Sequence, residues 1–375
     1  MGYIYFDSAA STKPLGAVLE CFNRISVEYY ANPSALHIAG LEAERVLRAS
    51  AETISKCLGV NAGEICFTSG GTESNNMAIM GLAKARQRTH RHIITLHSEH
   101  ASVTEVCKKL ESEGFEVTWL SGVPSADEIS NILRDDTALV SISHVNNETG
   151  YINDIEAISK KIKARSEAYI HSDGVQGFGK VAASLKHLDS YSFSGHKIGC
   201  VKGVGGLYLN KSTHMAPLIL GGGQQNNLRS GTENTASVAA LAKAAELAFS
   251  FMEESCAKVS AIKAELLKLT SVLEHVSVNG NSSPYILNLS FLGVKSEVLL
   301  HSLAQAGVLA SAGSACSSGK KNNKKNALSA MGFDKAIYES AVRFSFSSEN
   351  TVDEAKRAVE IISEKVNFLR KYTKK

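Results

Sequence analysis

The stretch Ile65-Cys66-Phe67-Thr68-Ser69-Gly70-Gly71-Thr72-Glu73-Ser74 joins a β-rich run to a glycine turn, and a helical pattern follows that turn. Parallel α/β folds are built from such strand, turn and helix units. The first N–H groups of a helix have no partner inside the helix, so this turn suits a phosphate. The turn lacks the lysine of a P-loop and the spacing of dinucleotide-binding sites. A phosphate site and a simple glycine turn capped by Thr72 both remain open at this point.

The same alternation of β-rich and helical segments extends from about residue 60 to residue 210, which predicts a largely parallel sheet. The expected strands are 65–68, 92–96, 115–119, 138–143, 168–171, 190–193 and 206–209. Residues 235–267 are alanine-rich with no strong breaker, and they predict one long helix leading into a second unit. In that unit we expect strands at 285–291 and 342–345, a helix at 296–305 and a closing helix from 352 to about 369.

The composition is that of an ordinary folded protein, with 375 residues, 44% hydrophobic and 21% charged. The 40 basic and 37 acidic residues give a net charge of +3, which predicts neither a nucleic-acid nor a membrane partner. The apolar run 3–6 is too short for a signal peptide, so we expect a cytoplasmic protein. The seven cysteines form no C-x-x-C pair; we therefore expect no metal site, and mostly reduced core thiols.

A second set of polar residues follows two later strands. Asp173 ends one expected strand with Gln176 three residues on, and Ser194-Gly195-His196-Lys197 follows the next. Ligand-binding groups of open α/β sheets collect at this edge. A lysine for a Schiff base, a carboxylate for the pyridine nitrogen and a phosphate cradle are what pyridoxal 5'-phosphate (PLP) requires. Singly, Lys197 would be read as a surface lysine and Asp173 as a turn residue, but together they predict a PLP site.

Seven motifs, in the same order, are similar to those of the cysteine desulfurase family, fold-type I PLP enzymes of the class V aminotransferase group. They are YFDSAAST at 5–12, NPS at 32–34, FTSGGTESNN at 67–76, HVNNETG at 144–150, FSGHK at 193–197, RSGTEN at 229–234 and GSAC at 313–316. The resemblance implies an α/β, fold-type I PLP-dependent transferase with two domains. Residues 15–250 would form a large domain around a mostly parallel seven-stranded sheet. Residues 1–14 and 251–375 would form a smaller α+β domain carrying a catalytic loop at about 311–327.

The resemblance also implies roles for individual residues around the cofactor. Lys197 would hold PLP and move the substrate Cα proton, Asp173 would pair with the pyridinium, and Gln176 would donate to the ring hydroxyl. His100 would stack on the ring and assist proton transfer. Phosphate contacts would come from Gly71, Thr72, Ser194 and His196. Thr232 would reach the phosphate of a second subunit, which implies a homodimer.

The substrate implied by the resemblance is L-cysteine. Arg343 would clamp the α-carboxylate, helped by Asn147, because a planar guanidinium fork fits a carboxylate. Cys316, as thiolate, would attack the substrate sulfur, release L-alanine and keep a persulfide for an acceptor protein. The Lys- and Asn-rich stretch 317–326 after Cys316 predicts a mobile, solvated loop.

The chain departs from the family pattern at several positions. Cys200-Val201-Lys202-Gly203 replaces the usual Gly-Pro-Lys-Gly, and Ser172 and Gly174 stand where Val and Ala are more common. Thirty-two residues follow Arg343, fewer than in relatives whose extension docks an iron-sulfur scaffold, so a scaffold partner is only a weak expectation. The sulfur would serve iron-sulfur clusters or thio-cofactors. A selenocysteine lyase and a catalytically silent assembly or regulatory homologue remain alternatives.

Overall fold

The computed structural model describes residues 2–312 and 327–373. Twelve strands occur in this part of the chain: β1 Ile4–Tyr5, β2 Ile65–Thr68, β3 His92–Leu96, β4 Glu116–Leu120, β5 Thr137–Ser141, β6 Tyr169–Asp173, β7 Ser190–Ser194, β8 Gly205–Leu209, β9 Val276–Gly280, β10 Ile286–Phe291, β11 Val308–Leu309 and β12 Ala341–Ser345. Its twelve α-helices are α1 Gly16–Glu28, α2 Ile38–Leu58, α3 Gly71–Arg86, α4 Ala101–Ser112, α5 Ala126–Asn131, α6 Ile155–Lys163, α7 Thr235–Ser250, α8 Met252–Thr270, α9 Ser296–Gln305, α10 Ala327–Ala330, α11 Lys335–Glu339 and α12 Val352–Thr373.

The described residues pack into two compact units. The larger comprises residues 12–144 and 153–250, and the smaller comprises residues 2–11, 145–152, 251–312 and 327–373. Residues 145–152 belong to the smaller unit. The sequence analysis does not predict this, because it assigns the whole chain from 15 to 250 to one domain.

A seven-stranded sheet organises the larger unit, in the order β2-β8-β7-β6-β5-β3-β4. Strand β8 runs antiparallel to both of its neighbours, and the other pairings are parallel. All seven expected strands are present, within about two residues of the expected limits. Strands β3, β5, β7 and β8 are buried throughout, as the apolar runs inside such a sheet require, whereas the edge strand β4 is partly exposed. The α/β class with a mostly parallel sheet is confirmed.

The smaller unit is built on a three-stranded antiparallel sheet, β12-β10-β9, and a parallel pair, β1-β11. Its core collects apolar residues from these strands and from α8, α9 and α12. Strand β9 is missing from the sequence analysis because its sequence, VSVNG, is short and half-exposed.

The single helix expected over 235–267 is wrong. Helix α7 ends at Ser250 and α8 begins at Met252, and Phe251 between them has a non-helical backbone (φ −110°, ψ 18°). Helix α7 buries its alanines in the core of the larger unit, whereas Val259, Ile262 and Leu266 of α8 enter the core of the smaller unit. The helix is therefore interrupted because its two halves are buried in separate cores, although the sequence has no glycine or proline at the break.

No single helix in the described residues is both long and apolar enough to cross a membrane; one pair, α7 and α8, meets the length and composition criteria only when joined across its break.

Candidate active site

The carboxyl edge of the large sheet brings the two expected PLP residues together. Strands β6 and β7 are parallel neighbours with Asp173 opposite Ser192 in register. Asp173 is the last residue of β6, and β7 continues through Ser194 into a 3₁₀ turn, Gly195–Lys197. Since strand ends meet at one edge of a parallel sheet, the Asp173 carboxylate and half-buried Lys197 lie in the same region of this unit.

A phosphate cradle is formed where α3 begins. Gly70, at φ 150°, precedes the first helical residue, Gly71. A Cβ added at Gly70 would lie 3.6 Å from Ser194 Oγ, and one added at Gly71 would lie 2.4 Å from Val175 Cγ2. The end of β7, the turn after β6 and the first N–H groups of α3 thus converge. No side chain caps this helix end, so the simple turn capped by Thr72 is not formed.

The environment of the Ser194 hydroxyl shows whether the phosphate group of PLP fits this cradle. Its side chain is 2% exposed, and its hydroxyl oxygen is buried without a hydrogen-bond partner. A buried hydroxyl left unpaired is costly, and an anion held at the N-terminus of α3 would accept its proton. The orphaned hydroxyl, the helix N-terminus and the close-packed glycines therefore fit the phosphate group of PLP.

The Asp173 carboxylate is buried and held by three donors. Its Oδ2 accepts from Asn75 Nδ2 at 2.7 Å, and its Oδ1 accepts from Val175 N at 3.0 Å and from Ser192 Oγ at 3.5 Å. These three hydrogen bonds fix the direction of the carboxylate. A fixed carboxylate at this edge is suited to pairing with a protonated pyridine nitrogen.

Gln176 and Thr232 differ in their surroundings. Gln176 is buried in the turn that follows β6, where Gly177 N donates to Gly174 O at 2.8 Å. Thr232 is exposed, in the segment before α7. Gln176 is therefore buried in the turn that begins directly after Asp173, and Thr232 lies on the surface of the larger unit.

His100 caps α4 rather than lying inside it. Its Nδ1 accepts from Ser102 N at 3.1 Å and lies 2.8 Å from Ser102 Oγ. A cavity of about 380 Å³ between α3 and α4 is lined by both His100 and Thr72. The ring expected to stack on PLP therefore borders the same cavity as the phosphate turn.

The turn that carries Lys197 is tied to the start of the larger unit. The carbonyl of His196 accepts from both the N–H and the hydroxyl of Thr12, each at 2.9 Å, and Thr12 Oγ1 accepts from Gly199 N at 2.7 Å. Burial, and the nearby Lys197 above all other charges, lower the pKa of His196 to about 4. His196 is therefore neutral near pH 7 and serves as a hydrogen-bonding group.

The expected carboxylate clamp lies in the smaller unit. Arg343, on β12, is 5% exposed, and its Nη1 donates to the main-chain oxygen of Asn147 at 2.8 Å. Its Nη2 donates to Asp7 Oδ1 at 2.9 Å, and Nε is buried without a partner. Asn147 thus meets Arg343 through its backbone, and Asp7 is a partner that the sequence analysis does not name.

Cys316 lies outside the described residues. The six described cysteines are all free thiols. Burial raises the pKa of Cys66, Cys107 and Cys200 to about 12 and also raises that of Cys57. Since only a thiolate is nucleophilic, these four thiols are poorly suited to catalysis.

The sequence analysis assigns no role to four residues that bond the expected site residues or lie near them: Asp7, Asn75, Glu99 and Ser102. Asp7 and Asn75 occur inside motifs that are quoted for other residues. A buried Asn75 among the apolar residues Met77, Ala78 and Ile79 of α3 is a signal that could have found it. In the described residues, no group of three or more His, Cys, Asp or Glu side chains is placed to hold a metal ion.

An aspartate, a lysine and a phosphate cradle at one edge of a mainly parallel sheet define the class of fold-type I PLP enzymes. The family model "Aminotransferase class-V" matches residues 4–358. "Cysteine desulfurase" of Trichormus azollae is 38% identical, over 99% of this chain and 94% of that protein. "NifS/IcsS protein homolog" of Lactobacillus delbrueckii subsp. bulgaricus is 40% identical, over 94% of each chain. A solved "NIFS-like protein" superposes with a TM-score of 0.91 at 33% identity, covering 98% of this chain and 100% of that one.

The chain belongs to the aminotransferase class-V family and, within it, to the PLP-dependent cysteine desulfurases.

Proposed function

We propose that this protein is a PLP-dependent cysteine desulfurase that converts L-cysteine to L-alanine and retains the sulfur as a persulfide on Cys316. The observation that carries the proposal is the convergence of Asp173 and the Lys197 turn with the orphaned Ser194 hydroxyl beside α3. The nearly full-length similarity to proteins named cysteine desulfurase supports the same reaction.

The larger unit holds the cofactor. Ser194, Gly71, Thr72 and His196 would bind the phosphate, Asp173 and Gln176 the ring, and Lys197 Nζ the aldehyde carbon. When bound, PLP accepts the electron pair released when the substrate Cα loses its proton. Lys197 Nζ takes that proton, and the Nε2 side of the His100 ring is left for a second transfer because Nδ1 is engaged with Ser102.

The smaller unit recognises the substrate carboxylate. Arg343 Nε has no partner, and Nη2 carries a second proton besides the one given to Asp7, so one edge of the guanidinium is left to donate. A bidentate bond from this edge would orient the amino acid.

The sulfur transfer balances without an added oxidant. The Cys316 thiolate forms an S–S bond with the substrate sulfur as the Cβ–S bond breaks, and the electron pair of that bond stays on Cβ. A proton then completes the methyl group, Lys197 Nζ would return a proton to Cα to give L-alanine, and the sulfur remains on Cys316 as a persulfide. A thiol of an acceptor protein would remove it, for iron-sulfur clusters or thio-cofactors.

We also propose a homodimer. Thr232 is exposed, as a residue serving another subunit must be. The start of α2 exposes Ile38 and Leu41, and Leu36 just before it is 94% exposed. Large exposed apolar side chains grouped in this way are typical of a protein interface, and a second copy of this chain is the partner that Thr232 requires.

The test is release of alanine and sulfide from L-cysteine under a thiol reductant, with selenocysteine in parallel. Equimolar products are expected from the wild type. Cys316→Ala should keep the visible Schiff-base band and lose sulfide release, while Lys197→Ala should lose the band. Cys256→Ala, a half-buried thiol on α8, is the matched control and should keep both. Full activity of Cys316→Ala would contradict the persulfide step, and an unchanged band in Lys197→Ala would contradict the cofactor assignment.

A further inference from the structure

Asn75 lies at the centre of a buried hydrogen-bond network in the larger unit. It belongs to α3, is 1% exposed, and bonds four side chains from three other elements. Its Nδ2 donates to Asp173 Oδ2 at 2.7 Å and to Ser102 Oγ at 2.9 Å. Its Oδ1 accepts from Ser192 Oγ at 2.6 Å and lies 3.1 Å from His171 Nε2. Every donor and acceptor of this amide is therefore in use.

The donor and acceptor capacity of each side chain determines where the protons lie in this network. An ionised Asp173 can only accept, so the amide nitrogen of Asn75 must face it. Both amide protons are then committed, one to Asp173 and one to Ser102 Oγ. Since Ser102 Oγ accepts from Asn75, its own hydroxyl proton is free to point at His100 Nδ1, 2.8 Å away.

His171 contacts the other end of the Asn75 amide and is compatible with this orientation. It is fully buried, and burial lowers its pKa to about 4, so it is neutral near pH 7. Its Nε2 faces the acceptor Oδ1 of Asn75 and therefore carries the proton, while Nδ1 accepts from Ser190 Oγ at 2.8 Å. An Asn75 amide turned by 180° would instead place its carbonyl oxygen against the Asp173 carboxylate, where two acceptors would face each other.

The tautomer of His100 follows from this arrangement. Its Nδ1 receives both the Ser102 N–H and the Ser102 hydroxyl, so Nδ1 is an acceptor and the proton of the neutral ring resides on Nε2. Asn75 thus joins, through one amide group, the carboxylate expected at the pyridine nitrogen and the imidazole expected over the ring.

We propose that Asn75 is a positioning residue that couples the two cofactor contacts: it aims the Asp173 carboxylate and, through the Ser102 hydroxyl, gives His100 Nδ1 a second donor that fixes the direction of the imidazole ring. The inference rests on the proposed PLP function. The two branches are separable, because Ser102 reaches His100 but makes no bond to Asp173, whereas Asn75 reaches both.

The experiment compares Asn75→Ala and Ser102→Ala with the wild-type holoenzyme. Asn75→Ala should weaken PLP binding by about tenfold to a hundredfold and shift the absorption maximum of the bound cofactor, as expected for loss of an outer hydrogen-bond partner. Ser102→Ala should keep the wild-type PLP dissociation constant and absorption maximum but lower kcat by about tenfold or more, because only the His100 branch is lost.

Thr95→Val is the matched control. Thr95 is likewise fully buried in the larger unit, and its Oγ1 donates to Ser141 O at 2.9 Å, outside this network. Its loss should lower the melting temperature and leave the PLP dissociation constant, spectrum and kcat unchanged.

Three results would overturn the inference. Asn75→Ala could lose only thermal stability, as Thr95→Val does, and keep its PLP affinity and spectrum. Ser102→Ala could keep the wild-type kcat, which decides against the coupling even if Asn75→Ala does not fold. Ser102→Ala could also lose as much PLP affinity as Asn75→Ala, which would mean that the branches are not separate. A wild-type protein without the PLP band would instead overturn the proposed function itself.

Discussion

Asp7 and Arg343 form an ion pair in the smaller unit, with 2.9 Å between Asp7 Oδ1 and Arg343 Nη2. The two residues are 336 positions apart in the sequence, and both side chains are largely shielded from solvent. The Asn147 carbonyl accepts from Nη1, so two acceptors hold the guanidinium plane and leave Nε unpaired. The arginine is therefore oriented before any substrate carboxylate arrives.

Removing this acceptor should weaken substrate binding more than turnover. In Asp7→Ala, Arg343 loses one of its two acceptors, and we expect KM for L-cysteine to rise by about tenfold to a hundredfold, with a smaller change in kcat. Asp7→Asn keeps an oxygen acceptor and should recover most of the affinity. Steady-state kinetics of both variants is the measurement, and an unchanged KM in Asp7→Ala would show that Asp7 does not position the clamp.

Gly174 stands where the family more often has alanine, and the structure explains the difference. A Cβ at Gly174 would lie 1.9 Å from Cζ of the buried Tyr191 ring. We expect Gly174→Ala to destabilise the larger unit by about 1–3 kcal/mol through overpacking. Thermal denaturation in a double-mutant cycle is the measurement.

The cost of Gly174→Ala should be smaller in a Tyr191→Val background, which removes the ring, than in a Tyr191→Phe background, which keeps it. Equal costs in both backgrounds would place the strain elsewhere than at Tyr191.

Glu99 should make stability fall as pH rises. It is buried; its Oε1 accepts from Ser143 N at 2.7 Å, and its Oε2 has no partner. Burial, followed by the nearby Asp173 charge, raises the pKa of Glu99 to about 8. Between its unfolded pKa, about 4.3, and about 8, the folded state binds the extra proton, so the free energy of unfolding decreases by up to about 1.4 kcal/mol per pH unit.

Glu99→Gln imitates the protonated side chain and should remove this slope. Urea denaturation of both proteins at pH 5.5 and pH 8 measures it, with the variant expected to gain stability relative to the wild type at the higher pH. A wild-type slope unaltered by the substitution would show that Glu99 is not the titrating group.

Ser172 is a second departure from the family pattern, and its hydroxyl is buried without a partner. Ser172→Ala removes the unpaired oxygen and should stabilise the fold by about 1 kcal/mol. The urea midpoint is the measurement. Ser192→Ala is the contrasting variant, because its hydroxyl bonds Asn75 and its loss should be destabilising. A fall in stability for Ser172→Ala would mean that this hydroxyl is satisfied in solution.

The strands of the larger unit are predictable because the apolar runs that form them can be recognised from neighbouring residues alone. Apolar runs such as HIITL at β3 and TALVS at β5 alternate with helical patterns, and burial on both faces of a parallel sheet requires such runs. The break at Phe251 is not predictable in this way, because it depends on which of two cores each helix enters.

The site residues also differ in whether local sequence predicts their position. Asp173, Lys197 and the glycine turn are found from the sequence because each follows a strand, and strand ends share an edge. The roles expected for all of the site residues stay predictions, and Cys316 lies outside the described part of the chain.

By itself, the sequence determined the alternation of strands and helices, the PLP chemistry of its motifs and the family, because period, turn residues and motif spacing are properties of neighbouring residues. Only the tertiary structure decided that Asn75 bonds Asp173, 98 positions away, that Asp7 holds Arg343, and that residues 145–152 join the smaller unit. Hydrogen bonds form between atoms about 3 Å apart, and which distant residues come that close is set by packing of the whole chain.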